Sequence, residues 1–136
     1  MNLHRRTLGL VALAITLLGG CATQVSLSDQ DRPPVVFVHG NGDSAALWQA
    51  TVWRFESNGW PTDRLHAIDV PYPLARDADN KAQAGRTSTA EHMAFLRDEV
   101  QAVMRRTGAK QVVLVGNSRG GNAIRNFICN GGGAAL

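Results

Sequence analysis

The chain has 136 residues, 44% hydrophobic and 18% charged, with a formal net charge of +3 and two cysteines. That length suits one domain with a packed core, and the basic residues gather into no stripe, so nucleic acid is not an expected partner. No group of Cys, His and carboxylate residues has metal-ligand spacing, and neither a metal nor any other cofactor is expected.

Residues 1–20 form a targeting segment and stand outside the fold. Arg5 and Arg6 make a positive start, Leu8 to Leu18 is apolar but too short to span a bilayer comfortably, and Gly19-Gly20 precede Cys21. Leu18-Gly19-Gly20-Cys21 resembles a bacterial lipobox, which implies that the Cys21 sulfur is lipidated and that the protein is exported and held on a membrane without crossing it. Ala22 after the cysteine implies the outer membrane by the same resemblance. An ordinary secretory peptide with a secreted or periplasmic product is the alternative, and Arg5-Arg6 also allows twin-arginine export. Without residues 1–20 the balance is 12 basic against 11 acidic residues, or +1. Cys129 is then left without a partner, on an apolar stretch where a buried, inert thiol is expected.

Ala22 to Arg32 is polar and aperiodic and reads as a tether, so that residues 21–33 join the anchor to a domain over 34–136. After Pro33-Pro34, Val35 to Val38 is a continuous apolar run, the pattern of a strand covered on both faces. His39-Gly40-Asn41-Gly42-Asp43 follows, and then a helix is predicted from about Ser44 to Asn58. Asp43 or Ser44 is its expected N-cap, Leu47, Trp48, Val52 and Phe55 form its apolar face, and Gly59 ends it. Leu65 to Val70 is the next strand, with His66 and Asp69 as packing or edge residues, and Pro71-Tyr72-Pro73 stops it. Asp77 to Arg86 has no apolar stripe and reads as a solvated loop bordering a substrate entrance. Ser88-Thr89-Ala90-Glu91 is a capping box for a helix with Met93, Leu96, Val100 and Val103 on one face, ending near Gly108; His92 is expected to be exposed. Arg105-Arg106 fits the negative end of that helix.

Val112 to Val115 is a second fully apolar strand, and it enters Gly116-Asn117-Ser118-Arg119-Gly120, a G-x-S-x-G pentapeptide, with a helical pattern over Asn122 to Cys129. Strand, tight turn with a central serine, then helix is the context of a nucleophile elbow. There Gly116 and Gly120 allow close packing, Ser118 is lifted clear of the sheet as the nucleophile, and the Arg119 backbone N–H faces the oxygen of an attacked carbonyl. A second donor must come from another loop at the same sheet edge. Gly40 and Gly42 allow the backbone N–H of Asn41 to turn towards it, and His39 is expected to hold that loop rather than to act as a base. The same loop also fits G-x-G-x-x-A of a dinucleotide fold, but that reading leaves the elbow unexplained and asks an exported protein to find a nicotinamide cofactor.

Alternating strands and helices predict an α/β fold with a parallel sheet. Val36 to Asp43, followed at the right distance by Val115 to Gly121, resembles the amino-terminal half of an α/β-hydrolase of the bacterial lipase and esterase type. The resemblance implies a serine hydrolase acting on carboxylic esters through an acyl-enzyme, with Ser118, Asn41 and Arg119 in the roles above. Asn117 stands where such lipases often carry His, and Arg119 is bulky for its position. The family's acid and histidine follow the nucleophile, whereas histidines 4, 39, 66 and 92 all precede it. The expectation is therefore an incomplete α/β-hydrolase of about three strands and three helices, inactive by itself or retaining about 10³ to 10⁴ over water. A non-catalytic, lipid-anchored binding protein on the same scaffold is the alternative.

Overall fold

The computed structural model describes residue 28 and residues 32–130; residues 1–20, read above as a targeting segment, Cys21 and the glycine run 131–133 lie outside the described residues. Three strands, β1 (Val35–Val38), β2 (Leu65–Ile68) and β5 (Val113–Gly116), make a parallel sheet in the order β2-β1-β5. Three helices accompany them: α1 (Gln49–Ser57), α2 (Thr89–Thr107) and α3 (Arg119–Cys129). This is the α/β arrangement expected from the alternating pattern. Two further strands, β3 (Leu74–Ala75) and β4 (Arg86–Thr87), pair in parallel at the two ends of the Asp77 to Arg86 stretch predicted to be a plain loop. Their two-residue length leaves no periodicity to read.

The apolar run of β1 makes it the central strand, and all four of its residues are fully buried. Alternation along the strand divides them between the two faces. Val36 and Val38 meet Leu96, Val100 and Val103 of α2 and Ala123 and Phe127 of α3. Phe37 points the other way, its ring 5.4 Å from Trp48 and 5.6 Å from Phe55 of α1. Helices thus cover both faces, which is why the strand carries no polar residue. Register aligns Val38 with Ile68 on one side and Gly116 on the other, so the three strands end together. The loops that follow them open on one edge.

The start of α1 and the buried face of α2 depart from expectation. Residues 45–48 form a 3-10 turn before α1, and the Ser44 side chain caps nothing. The Ala45 N–H is instead taken by Asp69 Oδ1 at 2.7 Å, a cap supplied by the chain leaving β2. In α2 the capping box of Ser88 and Glu91 is complete, and Gly108 closes the helix with a φ of 67°. His92, expected outside, is only 3% exposed: the buried stripe of α2 is His92, Leu96, Val100 and Val103, with Met93 half-buried beside it. Positions 92, 96, 100 and 103 follow the helix period as well as the predicted set does, and a polar residue at the head of the stripe conceals this. Cys129 is exposed, not buried. The inner face of α3 runs through Ala123 and Phe127, and two residues beyond Phe127 the helix has turned about 200° away.

Candidate active site

At the carboxyl end of β5 the chain reverses into α3 through Ser118, whose φ of 50° and ψ of −118° lie outside the conformations open to a relaxed L-residue. The strain is held by crowding on both sides. A Cβ on Gly120 would overlap Val38 O and lie 2.6 Å from His39 O, and one on Gly116 would lie 2.7 Å from Gly121 N. Helix α3 is thereby drawn against the end of β1. Asn117 N–H donates to Val38 O at 3.0 Å and Gly120 N–H to Asn117 O at 2.8 Å, closing the turn. Ser118 is exposed at its apex, at the positive end of α3.

The loop after β1 meets the elbow directly: a Cβ on Gly40 would lie 3.2 Å from Ser118 Cβ. His39 anchors this loop from below. It is 1% exposed, its Nε2 accepts the Val70 N–H at 3.0 Å, and its Nδ1 therefore carries the proton and donates to Gly40 O at 2.9 Å. Both ring nitrogens are engaged, and His39 is not free to take a proton from Ser118. Asn41 and Gly42 lie on the open side. The Asn41 Oδ1 accepts the Ala75 N–H at 2.6 Å, and Gly42, at a φ of 70°, donates its N–H to Pro73 O at 3.2 Å.

The residues between β2 and α2 form the remaining wall. Its Asp77 to Arg86 part, read as a solvated loop, is tied down by Arg86 to Ala75 O at 2.7 Å, Gln83 to Asp77 Oδ2 at 2.8 Å and Thr89 N–H to Asp79 Oδ1 at 2.6 Å. The Arg119 side chain reaches it from the elbow. Its Nη1 donates to Pro73 O at 3.0 Å and Thr87 Oγ1 at 2.9 Å, and its Nη2 to Thr87 O at 2.6 Å and Ser88 O at 3.2 Å. Burial pulls the Arg119 guanidinium below its ordinary pKa, against the attraction of Asp79 and Glu91. The same wall, with Val70, Tyr72 and Phe95, lines an open groove of about 560 Å³.

Sequence reasoning named the Arg119 and Asn41 backbones but missed what their side chains hold. The only cue was a bulky arginine after Ser118; a carbonyl such as that of Pro73 leaves no trace in a sequence. His92 was missed too. Its ring lies in the field of Arg119 and His39, and burial first, then those two groups, pushes its pKa down to about 4, so it is neutral. His66 sits half-buried on β2, its pKa lowered mainly by burial. Among the described residues no side chain is hydrogen-bonded to Ser118 Oγ. Residues 32–135 match the family model described as Lipase (class 2).

Proposed function

The chain belongs to the class 2 lipase family, and from that premise and the elbow geometry we propose that it is a serine hydrolase of carboxylic esters with Ser118 as its nucleophile. One observation carries the reading: an exposed serine held at a φ of 50° between a parallel strand and a helix, where glycines alone fit at positions 116 and 120. Such a serine presents its hydroxyl to a bound carbonyl at the positive end of α3. Ser118 Oγ attacks, its proton passes to a general base, and the carbonyl oxygen becomes an oxyanion facing the backbone N–H groups of Arg119 and Asn41. Collapse expels the alcohol and leaves an acyl-serine, which water cleaves by the reverse proton path.

The base and its acid partner come, in this reading, from outside residues 32–130. His39 is spent on its loop, and His92 is buried and neutral. The substrate is an ester or lipid, and Cys21 carries the anchor of an exported protein. Labelling the natural protein with a fluorophosphonate and sequencing the modified peptide tests the reading. Labelling at Ser118, abolished in Ser118→Ala, is the expected result. An unlabelled protein that retains its fold would retire the enzyme reading in favour of a lipid-anchored binding protein.

A further inference from the structure

The two backbone donors assigned to the oxyanion belong to different loops, and the sheet alone does not fix their separation. Strand pairing ends at Val38 and Gly116; Asn41 and Arg119 lie three residues beyond those ends. A tetrahedral oxyanion needs both donors within hydrogen-bond range of one point, and a shift of about 1 Å is enough to cost roughly 100-fold in rate. Some contact beyond the strand ends has to set the distance.

Gly40 packs against Ser118 there, and the carbonyl of Pro73 adds a directional, hydrogen-bonded contact. It accepts the Gly42 N–H at 3.2 Å from the loop after β1 and Arg119 Nη1 at 3.0 Å from the elbow, so a single oxygen bridges the two loops. Asn41 Oδ1 on the Ala75 N–H, at 2.6 Å, holds the same segment two residues further on. We propose that the Arg119 side chain is a positioning residue for ester hydrolysis, fixing through Pro73 O the spacing of the Asn41 and Arg119 N–H groups that hold the oxyanion. The inference rests on the Ser118 reading.

The chemistry of the clamp favours this role over a merely structural one. The guanidinium reaches only carbonyl and hydroxyl oxygens at Pro73, Thr87 and Ser88, and it carries its charge into a half-buried site with no carboxylate hydrogen-bonded to it. An apolar side chain of similar volume serves stability as well or better, because it has no charge to desolvate. What the planar fork adds is direction: two nitrogens, each on two acceptors, allow one orientation. A lysine has the charge without the fork.

The test measures kcat and KM of the natural full-length protein and its Arg119→Lys variant on a p-nitrophenyl ester, with the melting temperature of each. The expected result is a fall in kcat of about tenfold to hundredfold, with KM within about twofold and the melting temperature within a few degrees. Lysine at wild-type kcat overturns the inference, and so does a loss of kcat matched by a rise in KM and a collapse of the melting temperature. Should Arg119→Lys fail to fold, Thr87→Val removes one acceptor and carries the same test: a smaller fall in kcat at unchanged KM supports the clamp, and an unchanged kcat overturns it. The two readings fail separately. A wild type with no Ser118-dependent hydrolysis retires the hydrolase itself, whereas an active wild type equalled by Arg119→Lys retires only the positioning role.

Discussion

Ser118 shows how a single residue is held against its own preference. Its positive φ costs of the order of 1–3 kcal/mol for a residue with a side chain, and the close packing of Gly120 on the end of β1, where no Cβ fits, keeps the turn from relaxing. Glycine at 118 removes that strain but adds roughly 0.5–1 kcal/mol of backbone entropy to be lost on folding. The relief is the larger effect, so Ser118→Gly is expected to raise stability by about 1 kcal/mol in urea denaturation while abolishing fluorophosphonate labelling; a destabilised variant contradicts the strain. His92 gives a prediction in pH. Above pH 6.5 the imidazole is neutral in both folded and unfolded chains and adds no pH dependence. Below 6.5 the unfolded chain takes a proton that the folded one refuses until about pH 4. Stability therefore falls across that window, at up to about 1.4 kcal/mol per pH unit from this group. Denaturant midpoints measured from pH 7 to 4 should show the decline, and His92→Leu should flatten it.

Helix α2 is the element whose start matters most, because its first turn faces the site. The Ser88 hydroxyl accepts the Glu91 N–H at 3.1 Å, and Glu91 Oε2 accepts the Ser88 N–H at 2.7 Å. That second bond, more than the neighbouring Arg76, holds the Glu91 carboxyl below its ordinary pKa. Ser88→Ala leaves the Glu91 N–H unpaired and should cost about 1 kcal/mol, read as a shift of the urea midpoint at constant slope. Ser88 O also receives the Arg119 guanidinium, so the variant should lose more hydrolysis than a change in the core of α2 that is at least as destabilising, such as Val103→Ala. Equal losses would show that the helix start has no separate effect on the site. The capping box was legible because serine and glutamate three residues apart report a local bond. The Asp69 cap on Ala45 was not, since its two ends are 24 residues apart.

For the molecule as a whole, the sheet is narrow. Among the described residues β2 and β5 each have one paired neighbour, and Val113 and Ile128 are 40% and 56% exposed. Exposed edges and apolar side chains of this kind invite pairing with other chains. A polypeptide limited to residues 32–130 is expected to unfold in urea over a broad range and to aggregate at micromolar concentration. A sharp two-state transition would show instead that β1 and its helices suffice.

What the sequence by itself determined are the features whose cause is local or strictly periodic. Val35 to Val38 reads as a covered strand because no polar side chain interrupts it, Ser88 and Glu91 read as a helix start, and Gly116 to Gly120 reads as an elbow because its glycines mark where backbones touch. From these the parallel α/β architecture and the family followed. The tertiary structure alone decided which face of α2 is buried, bringing His92 inside, and which face of α3 carries Cys129 out. It alone tied Arg119 to Pro73 across 46 residues. The physical reason is the same in each case. A hydrogen bond to a distant backbone oxygen, or the burial of a polar side chain that finds room, depends on where the chain has been carried and leaves no pattern in the order of its residues.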